Sequence, residues 1–238
     1  MKVRLLTLVA LLALVGGVIG SGPIAASAQG TPEESGFDVK DLAGVQEGVS
    51  RTYAGDLSAF FSSAAEAAST PGAELGTPDV SALGLFSLNG AILRFDNKDN
   101  AKDAFGTFSD KVVESASTEG GFELKDEDVD GFSDNTKAYS AAVEEEGISS
   151  TVFVIITQQD EFIYLTTGIS FAKDASEVKD STVNFTKALV DGKAGDGEGE
   201  LKEDGTSTGG LWDKFPAADD EVLKGLKPAA DQQIYPQK

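Results

Sequence analysis

Residues Ile148–Thr157 read ISSTVFVIIT, residues Glu161–Ser170 read EFIYLTTGIS, and Gln158-Gln159-Asp160 lies between them. Val, Ile, Thr, Phe and Tyr dominate both runs, and branched and aromatic side chains suit the pleated surface of a sheet. Three polar residues are a short enough joint for the two runs to pair as a hairpin. Both runs are apolar at odd and even positions. A strand of that kind is covered on both faces, so the hairpin is expected at the centre of a sheet, with helices covering at least one side.

Two amphipathic stretches can supply the cover. In residues 97–116, Ala101, Ala104, Phe105, Phe108 and Val112 recur at helical spacing. In residues 174–191, Val178, Phe185, Ala188 and Leu189 form a similar stripe. Asp174 and Glu177 have the spacing of a capping box, and Gly192 is a natural stop. Leu57, Phe60, Phe61 and Ala64 suggest a further helical turn, and residues 69–79 (STPGAELGTPD) a loop. Further strands are expected at residues 45–53 and 136–143. Residues 82–95 (ALGLFSLNGAILRF) also read as strand. Asn89-Gly90 in the middle of that run signals a hairpin turn, with a bulge or bend as the competing reading. The fold class is therefore α+β: an antiparallel sheet of five to seven strands, with two main helices packed on one face.

The ends differ in composition. Lys2 and Arg4 precede an apolar run from Leu5 to Ile19, and Ala26-Ser27-Ala28 follows. This is the pattern of a signal peptide cleaved after Ala28, which implies secretion to an extracellular or periplasmic space with no stable membrane anchor. Residues 29–44 read as a polar leader, and residues 45–191 as the sandwich domain. Residues 192–210 (GKAGDGEGELKEDGTSTGG) read as a Gly-rich acidic linker. Residues 211–238 form a C-terminal segment with a short helix expected from Pro216. Trp212, Phe215, Leu223 and Leu226 give it more apolar surface than a free tail carries. It either packs back onto the domain or is an interaction segment for a partner.

Composition excludes more than it includes. The 238 residues contain no His and no Cys. A Ser-His-Asp or Cys-His nucleophile is therefore impossible, and the usual zinc, copper and haem ligands are missing. Without Lys2 and Arg4, 17 basic residues face 40 acidic ones, a balance of −23. Such a charge disfavours nucleic acid and anionic membrane surfaces. Glycine at 195, 197 and 199 does not make a phosphate loop, because Asp196, Glu198 and Glu200 alternate with it. Paired carboxylates could still hydrolyse glycosides. Sugar clefts, however, present aromatic platforms, and here the one Trp is in the tail and Tyr53, Tyr139, Tyr164 and Tyr235 are scattered.

Residues 126–135, DEDVDGFSDN, suggest a calcium site. Asp126, Asp128, Asp130 and Gly131 fit the first, third, fifth and sixth positions of a calcium loop. Phe132 would offer its carbonyl, and Asp134 fits the ninth position. Lys137 stands where the bidentate Glu belongs, and the flanks read as strands rather than helices. The alternative is an acidic turn. Calcium is the one cofactor this chain suggests; otherwise none is expected.

The order of elements, with AKDAFGTF in the first helix, GFSDNTKAY before the apolar hairpin and a last amphipathic helix, resembles exported bacterial α/β-sandwich proteins. The nearest named fold is PsbP/Mog1/LpqN-like. The tail LWDKFPAADDEVLKGL is similar to C-terminal segments of secreted bacterial proteins. The resemblance implies a curved antiparallel sheet with helices packed on it; it implies little about activity, since members with a known role act as binding and assembly modules. It supplies no catalytic residues. A non-enzymatic secreted module binding a protein or small ligand is thus the leading expectation. A calcium-binding extracellular protein and a carboxylate-dependent hydrolase follow.

Overall fold

The computed structural model describes residues 39–55, 84–118, 123–145, 148–171 and 175–236. The expected signal peptide, most of the leader, the helical turn at 57–64, the loop at 69–79 and the Asp174 cap lie outside these residues. The elements are β1 (Val45–Ala54), β2 (Leu85–Phe95), α1 (Lys98–Thr118), β3 (Lys125–Glu127), β4 (Thr136–Glu145), β5 (Ile148–Gln159), β6 (Phe162–Ser170), α2 (Ala175–Asp191) and β7 (Lys227–Tyr235). They form an α+β fold. The seven strands make one antiparallel sheet in the order β3-β4-β5-β6-β2-β1-β7. The β5–β6 hairpin lies at its centre, paired from Thr151↔Ser170 to Gln159↔Phe162. The tight joint is reached with Asp160 at φ 51.

One expectation about the layers is corrected. The helices lie on opposite faces of the sheet, not together on one. Val152, Val154 and Ile156 of β5 join a core with Ala101, Phe105, Phe108 and Val112 of α1. Phe153 and Ile155, which point the other way, join Val178, Phe185 and Leu189 of α2. Successive side chains of a strand alternate between faces, so apolarity on both faces of the hairpin requires a cover for each. The second cover is completed by the C-terminal segment.

The Asn89-Gly90 pair does not turn the chain. β2 runs straight through it, with Asn89 opposite Thr52 and Thr167, and Gly90 opposite Arg51 and Thr166. The glycine serves close packing: a Cβ there would lie 2.7 Å from Leu189 Cδ1 and 3.2 Å from the Phe185 ring. Asn89 is buried, and its Nδ2 donates to Thr52 Oγ1 at 2.8 Å, which satisfies its amide inside the sheet.

The expected leader ends earlier than residue 44. Val39–Asp41 forms a 3-10 turn, and Val39 and Leu42 are buried in the α1-side core. The expected linker is bonded into the structure as an arm. Gly195 N donates to Gly210 O at 2.8 Å, and Glu200 and Thr208 form a bridge. The short helix expected from Pro216 is replaced by 3-10 turns at Gly210–Lys214 and Glu221–Leu223. The chain then returns as β7 along β1.

β7 is an edge strand, and unpaired strand edges invite association. Here the arm covers part of it, with Asp231 N donating to Glu203 O at 3.3 Å. Register shifts opposite Gly48/Val49 and Thr52/Tyr53 also interrupt its ladder with β1.

Candidate functional site

Three regions bear on function: the acidic loop, the buried underside of the C-terminal segment, and a groove at one end of the sheet.

The loop does not gather its carboxylates. Asp126 belongs to β3, opposite Tyr139, rather than opening a loop. Asp126, Asp128, Asp130 and Asp134 are all exposed. Among the described residues, no group of three or more His, Cys, Asp or Glu could hold a metal ion. Phe132 is part-buried beneath the Lys187 ammonium, whose Nζ is 5.5 Å from the ring centroid. Lys137 reaches Asp110 at 3.1 Å. A carboxylate nearby that is held by side-chain partners is Glu127, which the sequence pattern did not single out. It accepts from Ser140 at 2.8 Å and from Lys179 at 3.1 Å. The Ser140 bond, followed by the Lys179 bond and charge, draws its pKa below the ordinary range.

The segment residues do come together, inside the protein. Trp212, Phe215, Leu223 and Leu226 are all buried against Val49, Tyr53, Leu88, Phe185 and Leu189. The segment packs back rather than presenting these side chains to a partner. Full burial of each large side chain contributes roughly 1.5–3 kcal/mol. Its polar anchor is an ion pair that sequence reading missed. Arg51 Nε and Nη2 donate to the two Asp231 carboxylate oxygens at 2.7 and 2.8 Å, and Nη2 also donates to Ser207 O at 2.6 Å. Ser207 N completes the set on Asp231 at 2.8 Å. The guanidinium lies over Trp212 and Phe215, 5.6 and 5.2 Å from their centroids. Burial alone would lower the Arg51 pKa, but the bond to Asp231 and its charge outweigh it, and the net direction is up. Tyr53 donates to Pro216 O at 2.8 Å, and burial pushes its pKa up to about 12.

Lys214 is also buried. Its ammonium donates to Gly192 O and lies 5.0 and 5.4 Å from the Phe162 and Tyr164 ring centroids. Desolvation lowers its pKa against the opposing charges of Glu161, Asp191 and Asp160. The lysine thus fastens the arm to the C-terminal end of α2, where carbonyls lack helical partners.

The groove lies where β1 begins, β2 ends, α1 starts and β5 turns into β6. Its volume is about 510 Å³, and Gln46, Arg94, Asn97, Lys98, Asp160 and Glu161 line it over Phe95. Gln46 is the extra residue of a bulge between Val45↔Phe95 and Glu47↔Arg94, a device that re-aims a side chain at a sheet rim. Arg94 is held by Glu47 at 2.9 Å. Asn97 caps α1 by accepting from Asn100 N at 2.9 Å. Asp96 Oδ1 accepts from Asn97 Nδ2 at 3.0 Å and Asn100 Nδ2 at 2.7 Å. Asp160 and Glu161 are brought to this end by the β5–β6 turn. Nothing in local sequence pattern marks these residues as neighbours, because the strand order alone assembles them.

The fold and these surfaces define a three-layer α+β sandwich, closed by its own C-terminal segment and carrying a polar groove at a sheet end. No family model matches the chain, and no curated protein matches it. Among solved structures, it is similar to the extracellular domain of PknH from Mycobacterium tuberculosis, at 17% identity and a TM-score of 0.29. That match covers 41% of this chain and 54% of the other, about half of the other chain's length.

Proposed function

We propose that this chain is a secreted, non-enzymatic binding module. The observation that carries this reading is the docking of the C-terminal segment over the α2 face. Trp212, Phe215, Leu223 and Leu226 are used to close the core, and the surface left by the described residues is largely polar. Leu201 is the one large hydrophobic side chain exposed among the described residues, at 42%. The complete absence of His and Cys supports the non-enzymatic part, because the chain has no imidazole or thiolate for proton transfer or nucleophilic attack. The signal-like N-terminus supports secretion. No helix among the described residues is long and apolar enough to cross a membrane.

The test has two parts. Expression of the full precursor in a bacterial host with mass spectrometry of the medium should yield a chain beginning at Gln29. Incubation of that product with ester, phosphoester, glycoside and peptide substrates should give no turnover above a boiled control. A cell-retained precursor would refute secretion, and turnover abolished by one carboxylate substitution would refute the non-enzymatic reading.

A further inference from the structure

We propose that the groove at the sheet end binds a short zwitterionic peptide, its ammonium at the Asp160–Glu161 turn and its carboxylate at Lys98 and Gln46. The assignment rests on the binding-module reading and deepens it.

Unlike charges share this groove without forming a salt bridge. Lys98, from the start of α1, and Asp160 and Glu161, from the β5–β6 turn, all line it. None of the three takes part in a salt bridge among the described residues. Glu161 and Asp160 both act on the buried Lys214 through charge, without a hydrogen bond to it. The other two charged liners are already occupied: Arg94 by Glu47, and Asp96 by the amides of Asn97 and Asn100. A cation and two carboxylates thus line one groove without a salt bridge between them among the described residues.

The groove is framed by backbone bonds. Phe95 N donates to Glu161 O at 2.8 Å, so the end of β2 and the β5–β6 turn are tied together beneath the groove. Asp96 N donates to Gly44 O at 2.9 Å, which ties the end of β2 to the segment before β1. These bonds fix the backbone from which the groove side chains reach, which lowers part of the ordering cost of binding.

The charge arrangement selects the ligand class. A simple anion meets Lys98, but also two carboxylates and a protein with 40 acidic residues against 19 basic ones. A simple cation meets Asp160 and Glu161, but also Lys98. A molecule with an amine at one end and a carboxylate at the other satisfies both signs of charge. The Gln46 amide, turned out by the bulge, can donate to the carboxylate as well. A volume of about 510 Å³ falls in the range of small-ligand sites and accommodates a chain of a few residues.

The test is a titration of the ¹⁵N-labelled protein with triglycine, read by amide shifts. N-acetyl-triglycine amide, which carries neither charge, and triglycine amide, which keeps only the amine, are titrated in parallel. Triglycine should move the amides of residues 46, 95–98 and 160–161. The doubly capped peptide should bind about fivefold to tenfold more weakly, the worth of two exposed ion pairs. Lys98→Gln should weaken triglycine about threefold and leave triglycine amide unchanged. Equal affinity for free and capped peptides would overturn the proposal. So would a Lys98→Gln effect on both peptides alike, or no groove shifts at about 20 mM triglycine. The same spectra separate this failure from failure of the reading beneath it. Appearance of free glycine and diglycine would refute the non-enzymatic module. An inert groove on an unchanged spectrum would refute only this site.

Discussion

Removing the Asp231 carboxylate should be among the most damaging single changes in the protein. Its side chain is 0% exposed, and that of Arg51 is 8% exposed. Asp231→Ala leaves the guanidinium buried beneath Trp212 and Phe215 without its carboxylate, and leaves Ser207 N without its acceptor. Breaking a buried pair by removing one member costs about 3–5 kcal/mol, chiefly through the uncompensated charge. At about 2–4 °C per kcal/mol for a domain of this size, the midpoint should fall by about 6–20 °C. Asp231→Asn retains an acceptor for Ser207 N but leaves the Arg51 charge uncompensated, and should cost only slightly less. Replacing both members, Arg51→Leu with Asp231→Leu, should cost less than Asp231→Ala alone, because no charge is left stranded. Equilibrium urea unfolding followed by tryptophan fluorescence suits the measurement, since Trp212 is the only Trp and lies against Arg51. A loss below about 1 kcal/mol for Asp231→Ala, or costs that simply add in the double variant, would show that the pair does not carry the closure of the C-terminal segment.

Two glycines should respond in opposite directions. Gly168→Ala drives a Cβ into Thr182 Oγ1 and against Val178 of α2, and should destabilise by about 1–3 kcal/mol. Gly106→Ala meets nothing within 4 Å in the middle of α1 and should stabilise by about 0.5–1 kcal/mol; thermal melts of both variants decide. In alkali, Tyr53 is raised from 10.0 to about 12 by burial. A raised folded-state pKa means that the native state keeps its proton longer. Stability is therefore fully present below pH 10 and is lost as pH rises through 12, at up to about 1.4 kcal/mol per pH unit per group. Tyr53→Phe should flatten that loss, although it gives up the bond to Pro216 O; a native chain that melts equally at pH 9 and pH 11.5 would contradict the burial. Millimolar calcium should raise the midpoint no more than sodium chloride of equal ionic strength, because the aspartates of residues 126–134 do not converge. A selective rise lost in Asp128→Ala would overturn that geometry.

The parts of the fold legible in the sequence are those whose own residues state their environment. The β5–β6 hairpin declared two buried faces, and both helices declared one apolar stripe each. Which face each helix covers was not legible, because a stripe says that a helix packs but not where. Asn89-Gly90 shows the same limit from another side. The dipeptide is a turn signal when its flanks are free. Here Leu189 and Phe185, nearly a hundred residues away, need the space a side chain would take. β7 (KPAADQQIY) has little strand propensity and no alternation; pairing with β1 holds it, not its own composition. The aspartates at 126–134 matched a ligand spacing, but spacing is not convergence once Asp126 is committed to a strand.

One buried feature did leave a trace. Val49, Arg51 and Tyr53 are alternate residues of β1 and so share a face. Val49 and Tyr53 are fully buried, so an arginine between them had to be buried too, and a buried guanidinium requires a carboxylate. The phase of one strand therefore demanded an acid from elsewhere in the chain. It could not say which of 40 would supply it. The selection of Asp231 is what turns a stretch that reads as linker and tail into part of the domain. Val49 and Tyr53 need apolar cover, Arg51 needs an acid, and residues 211–231 bring both. A chain cut before Gly210 would lose the apolar cover and strand the charge in one step, and should bind a hydrophobic dye and aggregate rather than persist as a smaller folded domain. A cooperative thermal transition in such a truncation would show that the sheet and its two helices are complete without the segment.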